Sequence, residues 1–459
     1  MHKRSLALLA GLGLAATACK DSTSVGDLNN VSAEALSSGL TRSSTNLLVT
    51  GLLNSSRGEL DSRYIVFTET LGRDFYRLDN AENRYINELI GKFPADYSAF
   101  TGGGAFTSMY VTLRSANTIL NALPSATGLS PAEVSATKGF VQTFKALAYY
   151  RVLETRDSLG IALDVNHPID DPPANFVCKP NALAFISALL DSAKTNLQAG
   201  GAAFPFTLPG GFTSNGAFDT PANFVKFTQG LKGKVELYRG LSRQKPNAAS
   251  FAAAITAINA SFADPAGAMD AGVYNTFSTA ANETTNPLAD ANIYLNPFVG
   301  DSIQAGDKRA SKIIIVASKT LNGVTSKYKS PLTDPAGLSR PIPILKNSEL
   351  ILLRAQARIE SGDLPGATVD INAVRVADGG LTPYAPFTTK AAAIAAVLYE
   401  KRYSLLAESA QRLVDLRAYG LVNAAAGPGA PGDIFQTTLP IPKPQFDTRK
   451  VTTITPDCP

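Results

Sequence analysis

The chain has 459 residues, and 42 Lys and Arg against 38 Asp and Glu give it a formal net charge of +4. It contains no basic block and no basic patch interleaved with aromatic residues, which argues against nucleic acid as a partner. Its two histidines and three cysteines are too few for the usual zinc sites, so we expect neither a metal nor another cofactor.

The N-terminus reads MHKRSLALLAGLGLAATAC, a basic start followed by an apolar run over residues 6–16 that is too short to be a permanent membrane span. Cys19 directly follows small residues, an order that resembles a bacterial lipobox. We therefore expect residues 1–18 to be a lipoprotein signal peptide and Cys19 to carry the lipid, so that acyl chains anchor the mature chain 19–459. Lys20 resembles the sorting signal that argues against retention in the inner membrane.

Cys178 and Cys458 remain as an even pair once Cys19 is lipidated. In an oxidising, exported compartment this pair could form a disulfide that ties the C-terminus to the middle of the chain. Two buried or free thiols are the alternative, because the sequence gives no Cα separation.

Hydrophobic periodicity along the chain is almost entirely that of helices, so the predicted fold class is mainly α. The predicted helices cover residues 32–56, 105–123, 131–156, 180–199, 222–240, 248–262, 346–361, 364–375 and 390–420. Strand character is concentrated at 312–329, where Asn322-Gly323 predicts the tight turn of a minor β-hairpin.

Long irregular segments interrupt these helices at 57–104, 200–220, 264–311 and 376–388. Loops of this length in a compact domain are uncommon unless they serve a function. Two of them hold many aromatic residues: Tyr64, Phe67, Phe75, Tyr76, Tyr85, Phe93, Tyr97, Tyr274, Phe277, Tyr294 and Phe298. We predict a helical scaffold that carries an elaborated loop face.

The segment SELILLRAQARIESGDLPGATVDINAVR at 348–375 has the pattern of two helices joined by a short turn. Gly362 suits the left-handed position after the first helix, and Asp363 can cap the second. This predicts an αα-hairpin of tetratricopeptide type, a unit that buries its apolar faces by stacking on its neighbours in a superhelix.

The segment LLAESAQRLVDLRAYG at 405–420 places Arg412 four residues after Glu408 and three before Asp415. On one continuous helix these side chains share a face. Two carboxylates around an arginine form a structural ion-pair network more often than an active site. We therefore predict a stabilising network here.

Sequence motifs of hydrolases and nucleotide-binding proteins are missing from the chain: G-x-S-x-G, H-E-x-x-H and the phosphate loop. VGDSIQ at 299–304 is similar to the Gly-Asp-Ser block of certain esterases. Those enzymes need a downstream histidine, and none follows His167. We interpret VGDSIQ as a turn and predict no catalytic activity.

The last quarter of the chain, about 340–446, resembles the SusD/RagB family of nutrient-uptake outer-membrane lipoproteins. ELILLRAQARIESGDLPGATVDINAVR and YEKRYSLLAESAQRLVDLRAYG resemble two hallmark segments of that family, and LPIPKPQF at 439–446 resembles its closing segment. The matching positions are Glu349, Arg354, Ala355, Ala357, Gly362, Asp363, Ala367, Asn372 and Arg375, then Glu400, Arg402, Leu405, Glu408, Arg412, Asp415, Leu416, Arg417 and Gly420.

This resemblance implies one SusD/RagB-like α-helical domain over 19–459, lipid-anchored in the outer membrane and exposed on the cell surface. It implies capture of an oligomeric glycan or peptide, without catalysis, for a SusC-like TonB-dependent transporter. The alternative is a tetratricopeptide-like envelope scaffold that binds other proteins and no nutrient.

Ligand contact is expected in LGRDFYRLDNAENRYINELIG at 71–91, because the family commonly uses this region for its ligand face. The chain has no Trp, so any flat platform for a sugar ring must be Tyr or Phe. Alternatively, the aromatic residues of this segment pack under the loop and its charges are solvated. The candidate ligand-binding residues are Arg73, Asp74, Tyr76, Arg77, Asn83 and Tyr85.

Overall fold

The computed structural model describes residues 39–61, 63–168 and 170–458. The expected signal peptide and lipidated Cys19 lie outside these ranges, so both stay predictions. None of the helices in the described ranges is both long and apolar enough to cross a bilayer.

The fold is mainly α, as predicted. Ser130 begins one long helix with a capping box, because its hydroxyl accepts from the Glu133 backbone N–H and the Glu133 carboxylate accepts from the Ser130 N–H. The helices of the first part of the chain are α1 Arg42–Asp61, α2 Tyr64–Leu71, α3 Arg84–Asn87, α4 Gly104–Ala122, α5 Pro131–Arg156, α6 Lys179–Gln198, α7 Pro221–Gly240 and α8 Ala249–Asn259. The second part continues with α9 Pro297–Asp301, α10 Asn347–Glu360, α11 Leu364–Ala377, α12 Lys390–Ser404, α13 Gln411–Tyr419 and α14 Lys443–Arg449.

The longer helices pack one on the next in a continuous series. α4 packs on α1 and α5, α6 lies between α5 and α7, and α8 joins α7 to α10, which packs on α11 and α12. This arrangement buries the apolar face of each helix against its neighbours, as expected for stacked αα-hairpins. In the pair α10–α11, Gly362 has φ 84° and the Asp363 side chain accepts from the Gly366 N–H at 2.9 Å, as the sequence predicts.

Short antiparallel strands form three small sheets beside the helices. The largest sheet has four strands in the order β1 Phe75–Arg77, β5 Ile293–Leu295, β7 Val324–Lys329 and β6 Ile314–Leu321. The two smaller sheets pair β2 Ile161–Ala162 with β3 Phe176–Val177, and β4 Gly272–Asn275 with β8 Ile342–Lys346. The predicted hairpin is confirmed as β6–β7, with φ 48° at Asn322 and 84° at Gly323. Positive φ at both central residues is typical of a tight hairpin turn.

Two predictions about the helices are wrong. The single helix expected at 390–420 is divided into α12 and α13, and Ala407 between them has φ 67°. No Gly or Pro lies at 405–410 to indicate this break. The segments 57–104 and 264–311, expected to be irregular, contain regular elements: the first holds α2, whose residues are all buried, and α3, and the second holds α9, β4 and β5.

The C-terminal segment is fastened to the beginning of α6. Cys178 and Cys458 form a disulfide in the structure, with Cα atoms 5.2 Å apart. Beside it, the Cys178 N–H donates to the Asp457 carbonyl at 2.9 Å, and the Asp457 N–H donates to the Phe176 carbonyl at 2.7 Å. These contacts link the end of the chain to its middle.

Candidate functional site

Arg73 and Asp74, predicted as ligand contacts, are buried and form ion pairs with the last quarter of the chain. Arg73 lies 2.8 Å from Asp433, and Asp74 lies 2.7 Å from Arg402. Buried charges are found mostly in such pairs because an unpaired charge is costly to remove from water. The two residues fasten the segment 71–91 to the C-terminal helices.

Tyr76 and Tyr85 are also buried. The Tyr76 hydroxyl donates to the Pro428 carbonyl at 2.8 Å, and the Tyr85 ring packs edge-on against Phe100 with centroids 4.9 Å apart. These contacts match the expectation that aromatic residues of the segment pack under the loop. A ligand-binding role for these four buried residues stays a prediction.

Arg77 and Asn83 are the more accessible members of the predicted set. Arg77 pairs with Asp290 at 2.8 Å, and its guanidinium lies 4.5 Å from the centroid of the Tyr85 ring. Asn83 is exposed. Asn83 is therefore the one residue of the predicted set that is exposed at the surface.

Asn83 belongs to a cluster of three side-chain amides. The Asn322 Nδ2 donates to the Oδ1 of Asn83 at 3.3 Å and to the Oδ1 of Asn87 at 3.1 Å. Each amide presents donors and an acceptor, the groups needed to bind hydroxyls. The cluster joins the turn of the β6–β7 hairpin to α3.

Two exposed aromatic rings follow Asn83 and Asn87 in the chain. Phe93 is 49% exposed and Tyr97 53% exposed, and the Phe93 N–H donates to the Asn87 carbonyl at 3.1 Å. Exposed rings offer flat apolar faces with a defined geometry. We call these five residues together the loop face: Asn83, Asn87, Phe93, Tyr97 and Asn322. The Tyr97 ring lies at the α14 end of this group, with its centroid 6.2 Å from that of Phe446.

The loop 427–436 is hydrogen-bonded to the backbone on both sides of Phe93. The Ala430 N–H donates to the Ile90 carbonyl at 2.8 Å, and the Gln436 side chain accepts from the Ala95 N–H at 2.8 Å. These bonds fix the backbone on both sides of Phe93. The sequence singled out Phe93 and Tyr97 only as loop aromatics, and Asn322 only as a turn residue.

The predicted network of Glu408, Arg412 and Asp415 is wrong. The Glu408 carboxylate binds Lys346 at 2.6 Å, and Asp415 binds Lys401 at 2.7 Å. Since the break at 405–410 removes Glu408 from the helix, the spacing argument does not apply. Within the described residues, the Arg412 side chain has no ion pair and no hydrogen bond, and its Nε atom is buried.

A second cation, Lys312, lies 3.5 Å from the Glu408 carboxylate that already binds Lys346. Partial burial of a side chain that is still 33% exposed and the positive charge of Lys346 lower the pKa of Lys312 to about 8. Burial and Asp74 raise the pKa of the Glu69 carboxyl well above its usual range. Across the described ranges, no group of His, Cys, Asp and Glu side chains is arranged to hold a metal ion.

No family model and no curated protein matches the sequence. Solved structures do match it. NanU of B. fragilis is 14% identical with a TM-score of 0.65 over 91% of this chain and 96% of its own. A SusD superfamily protein of Parabacteroides distasonis is 14% identical with a TM-score of 0.67 over 90% and 98%. A crystal structure with xylogluco-oligosaccharide is 15% identical with a TM-score of 0.62 over 83% and 84%. The chain thus has the fold of SusD superfamily structures.

Proposed function

We propose that the chain is a member of the SusD/RagB family that binds an oligomeric glycan and breaks no bond in it. The observation that carries this proposal is the shared fold, which extends over 90% of this chain and 98% of the Parabacteroides distasonis protein. The hallmark segments of the last quarter support it, because the first forms the helix pair α10–α11 and the second runs from the end of α12 through α13.

The loop face is the proposed glycan site. Its three amides can bind sugar hydroxyls, and its two exposed rings can pack against the apolar C–H face of a sugar. A glycan is favoured over a peptide because one structure of the same fold was solved with xylogluco-oligosaccharide. Of the ligand residues predicted from the sequence, Asn83 belongs to this site, because its side chain is already exposed.

Anchoring and partner belong to the same proposal. The leader sequence and Cys19 support a lipid anchor, and the family resemblance supports an outer-membrane, surface-exposed position beside a SusC-like TonB-dependent transporter. The Cys178–Cys458 disulfide is consistent with an oxidising compartment outside the cytoplasm.

The proposal is tested by glycan-array screening of the purified mature protein, followed by calorimetric titration of each bound oligosaccharide. Phe93→Ala and Asn322→Ala are expected to weaken binding about tenfold or more, since each removes a group that touches the sugar. Two controls remove similar groups elsewhere: Phe185→Ala takes away a ring that is 39% exposed on α6, and Gln198→Ala takes away an exposed amide.

If the protein binds short peptides and no glycan, its substrate is a peptide and not a glycan. If neither class is bound at millimolar concentration, nutrient capture is wrong and the envelope-scaffold alternative takes its place.

A further inference from the structure

Arg412 forms no ion pair with the described residues, although several ion pairs surround it. The two carboxylates nearest to it along the chain, Glu408 and Asp415, bind Lys346 and Lys401. In the described part of the chain no acceptor lies within hydrogen-bond distance of its buried Nε atom. A buried donor without an acceptor is expensive, so in a native structure it requires an explanation such as strain, a functional role or a bound water or ion.

The Arg412 side chain lines an open pocket of about 450 Å³ between α9, α12 and α13. This volume lies within the range of small-molecule sites, which are mostly apolar with a few polar groups. Most of the wall is hydrophobic or aromatic, and Phe298 is 38% exposed. The rings and cations of this wall are Phe298, Tyr399, Tyr403, Arg402 and Arg412.

Arg402, the other cation of the wall, is already neutralised. It binds the Asp74 carboxylate at 2.7 Å and donates to the Arg73 carbonyl at 3.1 Å, while its guanidinium lies 5.0 Å from the centroid of the Phe298 ring. Arg412 is therefore the cation of the pocket wall without a carboxylate at ion-pair distance among the described residues, although the charges of Asp74, Asp415 and Glu69 act on it from farther away. An arginine fork binds a carboxylate through two parallel hydrogen bonds, which is stronger than a neutral contact.

Glu69 is not a hydrogen-bonded partner of Arg412, although both side chains line a neighbouring void. No hydrogen bond joins it to Arg412 among the residues described, and its buried Oε2 atom has no partner. A separate void lined by Glu69, Asp74 and Arg412 measures about 10 Å³, which is roughly the room for one water molecule. The larger pocket, and not this void, has room for an incoming carboxylate beside Arg412.

We propose that this pocket binds an acidic sugar residue, with its carboxylate on the Arg412 guanidinium and its ring against Phe298 and Tyr399. The proposal rests on the proposed function for its choice of a sugar, and it names the substrate class as a glycan that contains a uronic acid. This site is distinct from the loop face, since the two share no residue.

Two small probes that differ in one group test it: methyl β-glucuronide, which carries a carboxylate, and methyl β-glucoside, which carries a hydroxymethyl group. Binding to the mature protein is followed by saturation-transfer NMR and competition titration. We expect the glucuronide to bind at least about tenfold more tightly than the glucoside, and Arg412→Gln to abolish that difference. Lys138→Gln, which removes an exposed charge on α5, is expected to leave it unchanged.

Phe298→Ala is the second variant, because it keeps the Arg412 charge and should weaken both probes together. Equal binding of the two probes, or a glucuronide preference that survives Arg412→Gln, would overturn the inference even if the glycan array is positive. Binding of neither probe would overturn it as well. The array with loop-face variants separates these results from failure of the proposed function.

Discussion

The Asp74 carboxylate lies 2.7 Å from the guanidinium of Arg402, although the two residues are 328 positions apart in the chain. Asp74 belongs to the segment that leads into β1, and Arg402 lies near the end of α12. Arg73 and Asp433 form a second buried pair beside it, at 2.8 Å. The segment that carries the loop face is therefore held in place by the last quarter of the chain.

Asp74→Asn should destabilise the protein by about 3–5 kcal/mol, because it leaves the Arg402 charge buried without its partner. Urea unfolding followed by circular dichroism measures the change. Asp447→Asn is the matched control: it breaks the exposed pair with Lys443, whose side chains are 55% and 58% exposed, and should have no measurable effect. An equally small effect of both variants would contradict the anchoring role of the Asp74–Arg402 pair.

The disulfide predicts that Cys178 and Cys458 are protected from alkylation until the protein is reduced. Intact-mass analysis after iodoacetamide treatment should show two labels fewer without reductant than with it. Cys458→Ser should also make residues 450–458 more sensitive to proteolysis, since the covalent attachment to α6 is lost. Full labelling of both thiols in the unreduced protein would exclude the bond.

Cys19→Ala should release the protein from membranes into the soluble fraction, because the acylation site is removed. Fractionation and immunoblotting of cells that express the full chain measure the distribution. Cys178→Ala serves as the control, since loss of that thiol leaves the lipobox intact. Retention of the Cys19→Ala protein until detergent is added would rule out the lipoprotein assignment.

The lowered pKa of Lys312 leads us to expect that the stability of the protein depends on pH. Its pKa is lowered from 10.5 to about 8 by burial and by Lys346, so above pH 8 the folded protein binds fewer protons at this site than the unfolded chain does. Stability rises with pH wherever the unfolded state binds more protons. The contribution of Lys312 should therefore improve between pH 8 and 10.5.

The measurement for Lys312 is the unfolding free energy of the natural protein minus that of Lys312→Met, taken at several pH values so that other titrations cancel. This difference should shift in favour of the natural protein as the pH rises from 8 to 10. Lys308→Met, which removes an exposed lysine nearby, is the matched control. A flat profile for Lys312→Met would contradict the lowered pKa.

Local signals predicted much of the scaffold. Gly362 and Asp363 predicted the turn between α10 and α11, and Asn322-Gly323 predicted the β6–β7 turn. In each case the signal is a short-range hydrogen bond or a positive φ, which neighbouring residues specify.

Other features depend on residues far apart in the chain. The left-handed Ala407 gives no sequence signal, and without that break the spacing of Glu408 and Arg412 indicates a pair that does not form. The amide cluster needs Asn322 to approach Asn83, 239 positions away. Hydrophobic periodicity reports how a segment is buried but not which distant segment covers it.

A role in nutrient import is tested by capture of this protein from native membranes extracted in mild detergent, with mass spectrometry of what accompanies it. We expect a TonB-dependent transporter in stoichiometric amount, together with glycan that is lost from the Phe93→Ala and Asn322→Ala proteins. Recovery of the protein alone, or with soluble envelope proteins only, would contradict a role in nutrient import.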